Sequence, residues 1–183
     1  MSTESDNASA FGISGSGGWL VGGALGGAVG AAAFGLLMWL FDPDAVAVAI
    51  PAIYGLELTG IVGWGIHIAH GIVLGLIFGF IVTRKSVLGI LRTDVETEAL
   101  SRTGMLLRLV GAGFVFGIAI FAVLPLAVLP VWVQTVGGGA VGDFPTAAIE
   151  TLLGHLVFGT VLGLVFAAIV DLDDRPTGRP LED

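Results

Sequence analysis

Hydrophobic positions along this chain collect into four long runs separated by short polar breaks. Trp19 to Phe41, Glu57 to Val82, Met105 to Val133 and a last run ending at Val170 each hold about 20 residues or more, the length a helix needs to cross a roughly 30 Å hydrocarbon layer. Tryptophan prefers the headgroup level, so Trp19 and Trp39 mark the two interfaces of the first span. Asp42-Pro43-Asp44 ends it. The segment AVAVAIPAIYGL (Ala45 to Leu56) is too short to cross and is broken by Pro51, which places it at the interface with Tyr54 as an anchor. Thr83-Arg84-Lys85 stops the second span, and the polar stretch after it carries Arg92, Asp94, Glu96, Glu98 and Arg102, with a short surface helix expected near Thr93 to Ser101. Pro125 and Pro130 bend or finish the third span. Gly137 to Gly142 reads as a loop, and Asp143 to Thr146 as the start of the fourth helix.

The second and fourth runs are copies. GWGIHIAHGIVLGLIFGFIV (Gly63 to Val82) carries His67, Gly71, Gly75 and Gly79 at steps of four, and LLGHLVFGTVLGLVFAAIV repeats them as His155, Gly159, Gly163 and Ala167, 88 positions later. The offset contains two spans, so both copies share one orientation and a pseudo-twofold axis along the membrane normal relates them. The expected fold is an all-α integral membrane four-helix bundle built from two repeated helical hairpins, with the second and fourth spans as its matched pair. Its parts are an acidic disordered tail (residues 1–18), a first transmembrane hairpin (19–82), a cytoplasmic loop (83–104), a second hairpin (105–170) and a cytoplasmic C-terminal tail (171–183).

Composition agrees. Hydrophobic residues make up 55% of the chain and charged ones 12%, against roughly 25% charged in a soluble domain. Most of the 30 glycines lie inside the apolar runs, where transmembrane helices use them to bring backbones together. With no cysteine, thiol catalysis, disulfides and thiolate metal sites are excluded. The net charge of −8 sits mostly in the tails and the polar loop. No clustered basic face exists for nucleic acid, and an opening that carries Glu4 and Asp6 is unlike a secretory leader. All seven Lys and Arg fall on the side of the polar loop and the tails, which by the positive-inside rule puts both termini in the cytoplasm.

Three groups of residues carry candidate chemistry. Gly71, Gly75, Gly79, Gly159 and Gly163 form small-xxx-small stripes for close helix packing, within the chain or against a second copy or a membrane subunit. His67 and His155 each lie about ten residues, roughly 15 Å, from the outer end of their spans, near the bilayer middle. An ionisable group there is a functional hypothesis by default. Structural hydrogen bonds to a neighbouring helix are one reading of the pair, and axial ligation of a haem b iron is another. A copper or zinc site using His70 as well lacks acidic or sulfur partners at that depth. Glu57, His70 and Glu150 could form a polar path nearer the outer surface. No catalytic triad, phosphate loop or HExxH is present.

The residues IPAIYGLE (Ile50 to Glu57), followed by HIAHGIVLGLIFG, resemble a family of small haloarchaeal four-span membrane proteins, some of which carry a histidine kinase label. The resemblance implies a salt-adapted plasma membrane and carries over no catalytic residue. The kinase label conflicts with the chain, which has no room for an ATP-binding domain. The reading is a non-enzymatic multi-pass protein of structural or assembly role, with a redox subunit using His67 and His155, or a small transporter or channel, as alternatives.

Overall fold

The computed structural model describes residues 17–57, 60–92, 98–135 and 149–170. Among them every regular element is helical, and four helices are long and apolar enough to cross a membrane: Gly18–Phe41, Ile61–Val82, Thr103–Trp132 and Ile149–Ile169. The chain is a multi-pass membrane protein with an all-α four-helix bundle. The tails, the loop expected at 137–142, the helix start at 143–146 and residues 93–97 lie outside the described residues.

Lipid tails are as apolar as leucine, so helices associate in a bilayer through close packing rather than hydrophobic transfer. Glycine therefore decides which spans meet. The first span carries glycine in adjacent pairs, Gly22-Gly23 and Gly26-Gly27, and successive residues project about 100° apart on a helix of 3.6 residues per turn. Two stripes result. Gly23, Gly27 and Ala31 meet Gly71 and Gly75 of the second span, and Gly22, Gly26 and Gly30 receive Phe166, Leu162 and Phe158 of the fourth. A Cβ at Gly23 would lie 2.6 Å from the Gly75 carbonyl oxygen, and one at Gly30 would lie 2.7 Å from that of Phe158.

The third span has a single stripe. Gly113 and Gly117 meet Gly159 and His155, and Leu109 meets Gly163. Both hairpins thus close through the same kind of contact, Gly27 on Gly71 and Gly113 on Gly159, with the first and third spans 86 positions apart. The packing order is second, first, fourth, third. The second and fourth spans, the matched pair of the repeat, do not pack along each other, because the doubly striped first span sits between them. The second and third spans barely touch. One seam of the bundle is closed and its counterpart is open.

Breaks in the helices have local causes. Pro51 has no N–H to give the carbonyl four residues back, and the preceding turn, Ala45–Ala49, widens to π-helical geometry. The Ala47 carbonyl instead accepts the N–H of Gly60 at 3.0 Å. Gly60 has φ +69°, a conformation favouring glycine, and starts the second span at Ile61 rather than near Glu57. The same device recurs where Leu124–Val128 widens ahead of Pro130 and the helix continues as Leu129–Thr135. Pro125 and Pro130 therefore modify the third span without ending it.

A short amphipathic helix, Lys85–Arg92, follows the second span, nearer to it than the surface helix expected at 93–101. Residues 98–101 belong instead to the helix Glu98–Val123 that enters the third span. Val87 and Leu91 pack on the bundle core, and Arg108 donates from Nη1 to the Leu91 carbonyl at 2.8 Å, a cation at a helix C-terminus.

Candidate functional site

Among the described residues, cavities flank the open seam on both sides of a central aromatic contact. Phe78 meets Phe116 across the seam, with ring centroids 5.4 Å apart, and packs edge-on against Phe166. On the side of the amphipathic helix lies a shallow recess of about 760 Å³ bordered by Arg108 and apolar side chains. On the other side lies a cavity of about 530 Å³, walled by all four spans and the Pro51 turn. Its rim includes the exposed residues Val73, Ile77, Val128 and Trp132, so it opens on the flank of the bundle. Its lining is apolar apart from His67, His70, His155, Tyr54, Thr151 and the indole N–H of Trp132.

His67 is buried, at 8% exposure, and its Nε2 bonds the Ala31 carbonyl of the first span at 3.0 Å. His155 is buried to a similar degree, and its Nδ1 bonds the Thr151 carbonyl one turn back in its own helix at 2.7 Å. A carbonyl only accepts, so the bonded nitrogen carries the proton in each ring. In a neutral imidazole the other nitrogen is then a lone-pair acceptor. His67 is the Nε2–H tautomer and His155 the Nδ1–H tautomer.

Phe34 of the first span packs edge-on against both rings, with centroids 5.3 Å from His67 and 4.8 Å from His155. It rests on Gly154, where a side chain would collide with its ring. This arrangement does not fit a haem held between the histidines. Phe34 occupies space beside both rings, and Nε2 of His67 is already committed to Ala31. Among the described residues no three His, Asp or Glu side chains come together to hold a metal ion, so His67, His70 and His155 do not form a copper or zinc centre.

At the rim, the Tyr54 hydroxyl bonds Nε2 of His70, and Trp132 donates from Nε1 to the Ile53 carbonyl at 2.9 Å. Burial pushes the Tyr54 phenol up from its ordinary value, which keeps it a donor at neutral pH. These bonds tie the Pro51 turn to the second and third spans. Glu57 and Glu150 are exposed and do not border the cavity, so of the three residues suggested as a polar path only His70 reaches it. Gly71, Gly75, Gly79, Gly159 and Gly163 all lie in helix contacts, and Gly71 also borders the cavity.

Phe34, the second glycine stripe of the first span (Gly23 and Gly27) and the contact of Tyr54 with Trp132 were not singled out from the sequence. The doubled GG motif at 22–23 and 26–27 was a readable signal for a helix with two packed faces. Phe34 carried none, since one phenylalanine in an apolar run looks like any other. Comparison with protein-family models, curated proteins and solved structures gives no match.

The His67 bond to the first span is expected to contribute little stability. Interhelical side-chain bonds in membrane proteins average about 0.6 kcal/mol, so His67→Phe should cost about 0.5–2 kcal/mol in unfolding titrations in mixed micelles. A loss well above that range would mean the ring holds the first two spans together by more than its bond to Ala31.

Proposed function

We propose that this protein is a non-enzymatic membrane protein that binds a lipid-soluble small molecule in the seam between its second and third spans. The half-open cavity of about 530 Å³ carries the reading. Its volume falls in the range of small-molecule sites, and its lining is of the kind such sites have, apolar and aromatic with a few polar groups. A ligand would enter sideways from the bilayer, past Val73, Ile77 and Val128, without crossing an aqueous interface. The placement of Arg84, Lys85, Arg92, Arg102 and Arg108 around the polar loop supports a plasma-membrane orientation with both termini in the cytoplasm.

Native mass spectrometry of the purified protein tests this reading. The wild type is expected to retain a small-molecule adduct distinct from bulk phospholipid. Val128→Trp, which adds bulk at an exposed position on the rim, is expected to lose it. An adduct that survives this change, or a wild type with none, would count against a ligand in the seam.

A second reading, closer to an assembly role, rests on the third span. It is the least buried of the four, which supports contact with a second copy of the chain or another membrane subunit.

A further inference from the structure

The cavity's two buried histidines restrict what it can hold. His67 spends its N–H on the Ala31 carbonyl and His155 spends its N–H on the Thr151 carbonyl. Each residue is more than nine-tenths buried and borders the cavity. The remaining nitrogens, Nδ1 of His67 and Nε2 of His155, are acceptors with no hydrogen-bond partner among the described residues. A buried acceptor without a partner costs about 1–3 kcal/mol, and in lipid no bulk water is at hand to supply one. A molecule that brings hydrogen-bond donors into the cavity recovers that energy. A molecule that brings only acceptors, such as a ketone, an ether or a quinone carbonyl, does not.

The rest of the lining describes the body of the ligand. Phe34, Phe158, Tyr54 and Trp132 supply aromatic faces and edges, which favour a flat ring. The opening at Val73, Ile77 and Val128 leads into the bilayer, which suits an alkyl tail left in lipid. Among the described residues no carboxylate borders the cavity to meet a cation, and no lysine or arginine to meet an anion. Resting on the lipid-phase reading above, we infer that the site selects a neutral aromatic amphiphile with free ring hydroxyls, of the phenol or quinol class, whose O–H groups donate to His67 and His155.

Two probes of nearly one shape test this: 5-decylresorcinol and its dimethyl ether, titrated into the full chain in nanodiscs, with quenching of tryptophan fluorescence as the readout. The resorcinol is expected to bind at least tenfold more tightly than the ether. Either His67→Phe or His155→Phe should narrow that preference to about threefold or less by weakening the resorcinol alone. Val128→Trp, at an exposed position that does not threaten folding, should weaken both probes. Equal binding of the two probes by the wild type overturns the donor selectivity and leaves the lipid-phase site standing. A preference that persists undiminished in both histidine variants overturns the assignment to these rings. If neither probe binds, or if Val128→Trp leaves binding unchanged, the inference is overturned, and native mass spectrometry then decides whether the cavity holds a ligand of another class. Should the histidine variants fail to fold, the wild-type ratio and Val128→Trp still decide the outcome.

Discussion

Leucine in place of Gly75 or Gly163 is expected to lower bundle stability by about 1–3 kcal/mol or more. The readout is the midpoint of unfolding in mixed micelles. The reason is what each position meets. A Cβ at Gly75 would lie 2.7 Å from the Gly27 Cα and 2.8 Å from its nitrogen, and one at Gly163 would lie 3.0 Å from the Leu109 carbonyl carbon and the Val110 Cα. These neighbours are backbone, so no rotamer change relieves the collision and the two helices must separate. Separation forfeits dispersion contacts along the whole stripe, and lipid supplies no hydrophobic force to pull the pair back. Gly65 is the control, exposed and with nothing within 4 Å of the space a Cβ would take. Gly65→Leu should stay within about 0.5 kcal/mol of the parent. Equal tolerance at Gly65, Gly75 and Gly163 would mean that the stripes do not form the helix contacts.

The fold was legible because bilayer physics leaves few choices. Four apolar runs with polar breaks admit only helices, and the His-Gly-Gly stripe recurs in the second and fourth of them. The neighbour order was harder to read. The repeat treats the two hairpins as equals, but the first span has two glycine faces and the third has one. That difference, written in Gly22-Gly23 and Gly26-Gly27, closes one seam and leaves the other open. The site was legible in part for the same reason. His67 and His155 stand out as polar residues in apolar runs, and both border the cavity. Their hydrogen-bond partners are backbone carbonyls, which every residue possesses, so no pattern of side chains could name Ala31 or Thr151 in advance. The Tyr54–His70 and Trp132–Ile53 bonds depend on how the Pro51 turn folds back over the bundle, a geometry set by the widened turn and the Gly60 cap together.

Phe34→Ala is expected to be the most damaging single truncation in the first span, at about 2–4 kcal/mol. That lies slightly below the range of about 3–5 kcal/mol typical of phenylalanine in soluble cores. The difference follows from the solvent. In water, truncation loses both the transfer energy of the ring and its packing, whereas in a bilayer the exposed alternative is lipid and mainly the packing is lost. What is lost here is nonetheless large. Phe34 is 6% exposed, fills the space above Gly154 and makes edge-on contacts with two imidazoles, each such aromatic contact contributing about 0.5–1.5 kcal/mol. Its removal also merges the vacated space with the neighbouring cavity, where lipid can enter only from the flank. Phe34→Leu keeps part of this volume and should cost noticeably less. Leu36, in the same helix but 64% exposed, separates the packing effect from any general intolerance of alanine. Leu36→Ala should change stability by no more than about 0.5 kcal/mol. If Phe34→Ala and Leu36→Ala proved equally mild, Phe34 would face lipid, and the close approach of the first span to both histidines would have to be abandoned.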